Sequence, residues 1–371
     1  MKAKTIQKTI NSKVTDWLSS LPLELSEQIS KKVVVTGGCI ASMFLKEKVN
    51  DYDMYFTDIK SAILVSQHYC NKWISENEEG KRSESVHSKL EPNLRLSFTT
   101  EDSFSKYCDY FTKDTSMVNF KTKNIVVHPK DEKLSLFLED KSTWSECSRV
   151  EIFIKSSGFV GNNPDEEYDY FEGRESGEAG DYLDNSIVDV NKMNETGSGK
   201  YETVFMSSNA ITLTDKVQLV IRFFGEPSKI HDTYDFIHAT NYWTSKTGLV
   251  TNTKALEALL AKELIYSGSK YPLASIFRSR KFIKREWNCH VGNYIKMALQ
   301  LNEMDLTDPL VLEEQLTGVD AAYMYEIIKA VKNKKKDDPS FEFNAAYVCE
   351  LVDRMMGISG MNTDDDLEED I

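Results

Sequence analysis

The sequence predicts an α+β fold, a mixed sheet with flanking helices that is interrupted by an insertion and followed by a helical domain. Three observations predict it. Residues 31–56 read as strand, glycine turn, helix, strand. The β-rich runs ETVFMSSNAITL and VQLVIRFF return after a long polar stretch. Beyond residue 251 the helical period dominates.

Taken in order, residues 12–30 read as short helices, with Asn11-Ser12 and Ser26 as caps and Trp17, Leu18, Leu21 and Leu25 at helical spacing. Val33, Val34 and Val35 suit a buried strand, and Gly37-Gly38 suits a tight turn. Residues 39–49 have helix-forming composition, and 50–56 alternate Asp51 and Asp53 with Tyr52 and Met54 as a strand. An amphipathic helix follows over 60–79, then strands over 93–99, 124–129 and 150–158. The stretch 161–200 is rich in Asp, Glu, Gly, Ser and Asn and reads as a mobile acidic insertion. Strands are predicted over 202–213 and 217–224, then a short helix entering a further strand at IHATNYW. Helices follow in KALEALLAKELIYSG, FRSRKFIKREW, NYIKMALQLNEM, VLEEQLTGVDAAYMYEIIKAVKNKKK and FNAAYVCELVDRMMG. The predicted organisation is N-terminal helices over 1–30, a core over 31–250 with an insertion at 80–200, a helical domain over 251–360 and an acidic tail over 361–371.

A net charge of −14, from 45 basic and 59 acidic residues, is opposite to that of a protein built to coat nucleic acid. Contact with a polynucleotide would need a local patch. No apolar run reaches the roughly 20 residues of a membrane span, so no membrane partner is expected. The basic N-terminus lacks the apolar segment of a signal peptide. Six cysteines are scattered singly with no CxxC pair, which points to reduced thiols in a cytoplasm. The sequence leaves the oligomeric state open.

The chemistry-bearing pattern is Gly37-Gly38, twelve residues, then Asp51-Tyr52-Asp53-Met54. A glycine pair closing a strand places backbone N–H groups at a helix N-terminus, where the dipole favours phosphate. Carboxylates at i and i+2 on a strand point to one face. Hard oxygen ligands held in this way suit Mg²⁺ or Mn²⁺ together with the phosphate oxygens of an NTP substrate. Either device alone is common, as a turn or as solvated charge; the two in one strand–helix–strand unit make the signal.

That pattern resembles the signature of the DNA polymerase β-like nucleotidyltransferase superfamily. VVVTGGCIASMFLKEKVNDYDMYF looks more closely like the minimal nucleotidyltransferases encoded by tailed bacteriophages. The likeness extends to FMSSNAITLTDKVQLVIRFFGEPSKIHDTYDFIHATNYW, KELIYSGSKYPLASIFRSRKFIKREW and VLEEQLTGVDAAY, about half of the chain. It implies a nucleotidyltransferase core in which Asp51 and Asp53 bind the metal and Gly37 and Gly38 seat a triphosphate. It also implies a third carboxylate from a later strand, for which Asp235 is the candidate and Glu202 and Glu151 the rivals.

Other residues carry two readings each. Ser207, Ser208 and Asn209 follow a strand, as turn chemistry or as hydrogen-bonding groups for a nucleotide. YSGSKYP joins a small-residue turn, with Ser269, to Lys270, which could reach a triphosphate; it is not a P-loop. Arg278, Arg280, Lys281, Lys284 and Arg285, interleaved with Phe277, Phe282 and Trp287, suit a polynucleotide or triphosphate grip, or a solvated helix face. Lys332–Lys336 reads as a solvated helix end. The six histidines form no HExxH or HxH pair, and neither GxSxG nor GxGxxG occurs. Cys39 reads as packed against the sheet.

The expected activity is metal-dependent transfer of an NMP from an NTP to an acceptor hydroxyl, an RNA end being slightly favoured over a protein hydroxyl or a small molecule. The alternatives are an inactive binding or interaction protein that keeps the fold, or a toxin-like transferase modifying host tRNA or protein.

Overall fold

The computed structural model describes residues 1–78, 91–111, 118–120, 122–155, 199–305, 311 and 315. The expected acidic stretch up to residue 198, the expected helices after 305 and the acidic tail lie outside them, apart from residues 311 and 315. The fold is α+β and forms two compact units, one ending at Ser267 and one beginning at Gly268.

The first unit opens with α1 (Ala3–Ser19) and α2 (Leu23–Ile29). Ile6, Ile10, Val14 and Trp17 recur every three to four residues and bury one stripe of α1. The expected caps at Asn11-Ser12 lie instead inside α1, because that apolar stripe runs on without a break from Ile6. Trp17 Nε1 donates to the Tyr69 hydroxyl at 3.0 Å, which satisfies both polar groups inside the core.

Next come β1 (Val33–Thr36), α3 (Gly38–Leu45), β2 (Tyr52–Phe56) and α4 (Ile59–Glu78), in the order the sequence predicts. The chain continues through β3 (Glu91–Phe98), α5 (Glu101–Phe111), β4 (Val118–Asn119) and β5 (Asn124–Val127). Then follow α6 (Glu132–Glu139), α7 (Lys141–Trp144) and β6 (Cys147–Lys155). Asp131 and Asp140 cap α6 and α7 by accepting backbone N–H groups. The predicted strand over 202–213 is a hairpin, β7 (Thr203–Met206) and β8 (Ala210–Leu213). Ser207 breaks it, its hydroxyl accepting from the Ala210 N–H. β9 (Val217–Phe224) coincides with VQLVIRFF.

After α8 (Pro227–His231), Ile237–Ala239 form a 3₁₀ turn rather than the start of a strand, and only β10 (Tyr242–Thr244) is extended. β11 (Gly248–Val250) and α9 (Thr253–Ala261) follow.

Seven strands form one mixed sheet in the order β11-β10-β1-β2-β9-β8-β7. β1 is antiparallel to both neighbours, whereas β2 and β9 run parallel. A four-stranded antiparallel sheet, β4-β5-β3-β6, shares the main core. On β2, Tyr52, Met54 and Phe56 enter that core. Asp51, Asp53 and Tyr55 take the opposite face by strand alternation. There Tyr55, Val34 and Ile230 form a small second cluster under α8.

The second unit contains α10 (Pro272–Lys284) and α11 (Val291–Leu301) among the described residues. The two helices contact one another, with a 3.2 Å hydrogen bond between the Ser279 and Tyr294 hydroxyls.

Candidate functional site

The turn between β1 and α3 brings Gly37 against β2. Gly37 has φ +94° and ψ −150°, a conformation that side-chain-bearing residues avoid. A Cβ built there would lie 3.0 Å from Asp53 Oδ2 and 3.3 Å from the Tyr234 hydroxyl. Gly37 is therefore fixed twice, by its backbone conformation and by the approach of two side chains. Its N–H donates to the Ala239 carbonyl at 3.1 Å, so that group does not face outward. Gly38 is exposed, with nothing within 4 Å of where its Cβ would stand. It is the member of the pair that leaves room for a ligand at the start of α3.

The sheet register aligns a row of polar residues on the face carrying Asp53. Tyr242 on β10 stands opposite Thr36 on β1. By continuation of the β1–β2 register, Thr36 lies opposite Asp53. Asp53 is beside Gln218 on β9, and Gln218 is opposite Thr212 on β8. The next row, Thr244, Val34, Tyr55, Val220 and Ala210, is mostly apolar and floors the small second cluster.

Burial and the nearby Asp51 charge push the Asp53 carboxyl well above its ordinary range. Asp51 reaches solvent, yet the protein crowded around it restricts hydration and raises its carboxyl as well. Two carboxylates in this setting favour a shared proton or a bound cation. Burial, together with Asp53 and Asp51, holds the Cys39 thiol protonated, and its S–H points to the Thr36 carbonyl at 3.8 Å. Cys39 thus packs against the sheet as a neutral side chain.

Three residues from the segment after β9 complete the wall. The Tyr234 hydroxyl donates to the Tyr55 hydroxyl at 3.1 Å. Burial first, then Tyr55 and Asp53, push the Tyr234 phenol well up. His231 Nε2 lies 2.9 Å from Thr36 Oγ1, which itself reaches the Asn241 carbonyl at 2.9 Å. Thr36 has one proton, and giving it to Asn241 makes His231 Nε2 the donor in their contact. Burial lowers His231 to about 4, so the ring is neutral around pH 7. Tyr234 and Tyr242 flank that ring, with centroids 5.2 Å and 5.7 Å away.

The sequence-predicted residues fall into separate places. Gly37, Gly38, Asp51 and Asp53 come together. Asp235 follows Tyr234, with its carbonyl accepting from the Ser267 N–H at 2.9 Å; the charge that bears on Asp53 is that of Asp51. Glu202 pairs with Lys72 at 2.9 Å just before β7, three strands or about 14 Å from β2. Glu151 lies in the four-stranded sheet, paired with Arg149. Ser208 and Asn209 form the β7–β8 turn. The Asn209 carbonyl accepts from the Ile221 and Arg222 N–H groups, about 10 Å along β9 from the level of Asp53. Asn209 Oδ1 accepts from Arg222 Nη1 at 3.3 Å.

Ser269, Lys270, Arg278, Arg280 and Lys281 belong to the second unit. There Ser269 Oγ accepts from the Tyr271 N–H, and Lys270 Nζ lies 5.7 Å from the Tyr271 ring centre.

Asp51 and Asp53 are the side chains able to hold a divalent ion here, with Gln218 contributing a neutral amide on the neighbouring strand. Two carboxylates suit Mg²⁺ that keeps several waters or phosphate oxygens. Among the described residues, no group of three or more His, Cys, Asp or Glu side chains is gathered for a metal. Also among them, no helix is long and apolar enough to cross a membrane, and Cys39, Cys70, Cys108, Cys147 and Cys289 are free. Sequence reasoning missed Thr36, Tyr55, Gln218 and Tyr234. Alternation with Asp53 could have found Tyr55, but the others arrive through sheet register and the path after β9.

A family model described as Gabija anti-defense 2 family protein matches residues 8–262, and the chain belongs to that family. No curated protein and no solved structure matches it. The match corrects the resemblance to polymerase β-like nucleotidyltransferases of the phage-encoded minimal type, because a different family spans the motif and the whole first sheet. The motif misled because glycine turns and alternating acids are short and locally determined. The neighbouring strand, which local pattern cannot show, brings Gln218 beside Asp53 rather than an acid.

Proposed function

We propose that this protein is a phage-encoded antagonist of host defence that acts by binding a component of the Gabija system named in its family's description. The family match over residues 8–262 carries this reading. It encompasses the sheet, the Gly37 turn and the polar row around Asp53. Binding rather than turnover is supported by that row, where the strand next to Asp53 offers an amide. The encounter takes place in the host cytoplasm, and the acting partner is a host protein.

A second reading is favoured by one observation, two neighbouring carboxyls both raised by burial, Asp53 further by the charge of Asp51. In it Asp51 and Asp53 would hold Mg²⁺ or Mn²⁺, and the NTP phosphates would approach the open side of Gly38. The acceptor hydroxyl, on host RNA or protein, would form a new bond to the α-phosphorus as the α–β phosphoanhydride breaks. Pyrophosphate would leave, and the acceptor proton would pass to water.

The test is expression of the wild type and of an Asp51→Asn, Asp53→Asn double variant in cells that carry Gabija, followed by phage challenge. Binding predicts that both restore plaque formation. Catalysis predicts restoration by the wild type alone, with label from an α-³²P NTP appearing on RNA or protein only in its presence. A wild type that leaves Gabija protection intact overturns both readings.

A further inference from the structure

The two acids of the site are held in different ways. Asp53 stands within β2, and sheet pairing sets it beside Gln218. Asp51 precedes that strand, in a segment from Glu47 that belongs to no helix or strand. Its place is set by the turn between β8 and β9. The Lys216 ammonium donates to the Val49 carbonyl at 2.9 Å, and the Lys216 carbonyl accepts from the Tyr52 N–H at 2.7 Å. One residue thus grips the chain two positions before Asp51 and one position after it.

The turn that carries Lys216 has a backbone that lysine does not favour. Asp215 and Lys216 have φ +58° and +60°, in the left-handed region that turns ordinarily give to Gly, Asn or Asp. Glycine or asparagine would relieve the strain, so what lysine adds at this position is its side chain. Lys13 of α1 holds the same turn from another side, its Nζ donating to the Asp215 carbonyl at 3.0 Å. That ammonium also lies 5.5 Å from the Tyr52 ring centre and 5.6 Å from that of Tyr201. Lys216 does not serve as a counter-charge. Its ammonium is spent on a carbonyl, and it is not among the groups that shift the Asp51 or Asp53 carboxyl.

We propose that Lys216 is a positioning residue for a divalent-cation site, holding the Val49–Tyr52 segment so that Asp51 and Asp53 share one ion. The proposal rests on the second reading of the function, in which the pair holds Mg²⁺ or Mn²⁺, and names the residue that sets the geometry of its ligands. Groups that orient metal ligands are typically worth about ten- to a hundred-fold in affinity. Simple electrostatics and positioning predict opposite signs here. Removing a positive charge close to two carboxylates should tighten cation binding, whereas releasing Asp51 should weaken it.

The experiment titrates Mn²⁺ into the purified full-length chain at neutral pH and follows the free ion by electron paramagnetic resonance. Binding that disappears in an Asp51→Asn, Asp53→Asn double variant defines the affinity of the pair. Lys216→Asn and Lys216→Gly both suit a left-handed turn, so their melting temperatures should stay near that of wild type. Lys48→Asn, an exposed position in the segment before Asp51, is the charge-matched control. The expected result is Mn²⁺ binding weakened on the order of ten-fold in both Lys216 variants, with the control at wild-type affinity or tighter. Lys216→Arg keeps a cationic donor and should recover most of the loss. Lys216→Asn and Lys216→Gly proteins that bind Mn²⁺ as tightly as wild type, or more tightly, overturn the proposal and leave the metal reading standing. A weakening that Lys216→Arg does not reverse also overturns it. Wild-type binding that the double variant leaves unchanged overturns the metal reading, and the role of Lys216 with it.

Discussion

Gly37→Ala is the most direct probe of how the site is built. The residue sits at φ +94° and ψ −150°, where a non-glycine side chain costs about 1–3 kcal/mol in backbone strain. Its new Cβ would be 3.0 Å from Asp53 Oδ2 and 3.3 Å from the Tyr234 hydroxyl, so both groups must yield by a few tenths of an ångström. Tyr234 is held by Tyr55, and Asp53 by its strand, so relief is incomplete and overpacking adds roughly another 1–2 kcal/mol. The sum, about 2–5 kcal/mol, corresponds to a fall in Tm on the order of 10 °C for a unit of this size.

Gly38→Ala is the matched control. Its Cβ meets nothing within 4 Å and its φ is not positive, so stability should change by less than about 0.5 kcal/mol. Differential scanning calorimetry with urea titration checks both. In a double-mutant cycle, Gly37→Ala combined with Asp53→Ala should cost less than the two single changes added, because the closest clash is removed. Equal losses for the two glycine variants, or a Gly37→Ala protein within 2 °C of wild type, would refute this account of the turn.

Asp53→Asn should raise the melting temperature at pH 7–8. The folded-state carboxyl is raised, so wild type loses stability as pH climbs from the unfolded value of 3.8 through the folded one. The variant escapes that loss, and its advantage should shrink toward pH 4; a constant or negative difference counts against a strained acid pair. His231 behaves in the opposite sense. Its folded value of about 4 lies below the ordinary 6.5, so the stability it contributes is full above pH 6.5 and lost as pH falls toward 4. His68 is lowered to about 4 as well, by burial and then by Lys72. His231→Gln should therefore flatten part of the acid limb and His68→Gln another part, read by urea unfolding at each pH. Trp17→Phe leaves the buried Tyr69 hydroxyl without its donor and should cost about 1–3 kcal/mol by the same measurement. A loss under 0.5 kcal/mol would show that the hydroxyl finds another partner.

Elements with strong local periodicity were legible, and those decided by distant partners were not. VVVT, VQLVIRFF and the helix over 59–78 stand where composition places them. The 202–213 run split because a Ser207 turn interrupts two strands that both look β-rich. IHATNYW became a 3₁₀ turn plus a short strand, since the Gly37 N–H ties back to the Ala239 carbonyl and the Thr36 hydroxyl to that of Asn241. The short α6 and α7 were missed despite sound Asp caps, each being too brief for periodicity to register.

By itself the sequence determined the α+β class, the strand–turn–helix–strand unit and the convergence of Gly37, Gly38, Asp51 and Asp53, because these depend on contacts within about twenty residues of chain. Only the tertiary structure decided what surrounds them. The parallel pairing of β2 with β9 seated Gln218 beside Asp53, and the path after β9 delivered His231 and Tyr234 from some 180 residues away. Sheet register and chain return are set by burial of a whole face at once, and no local pattern of residues encodes which distant side chain will arrive.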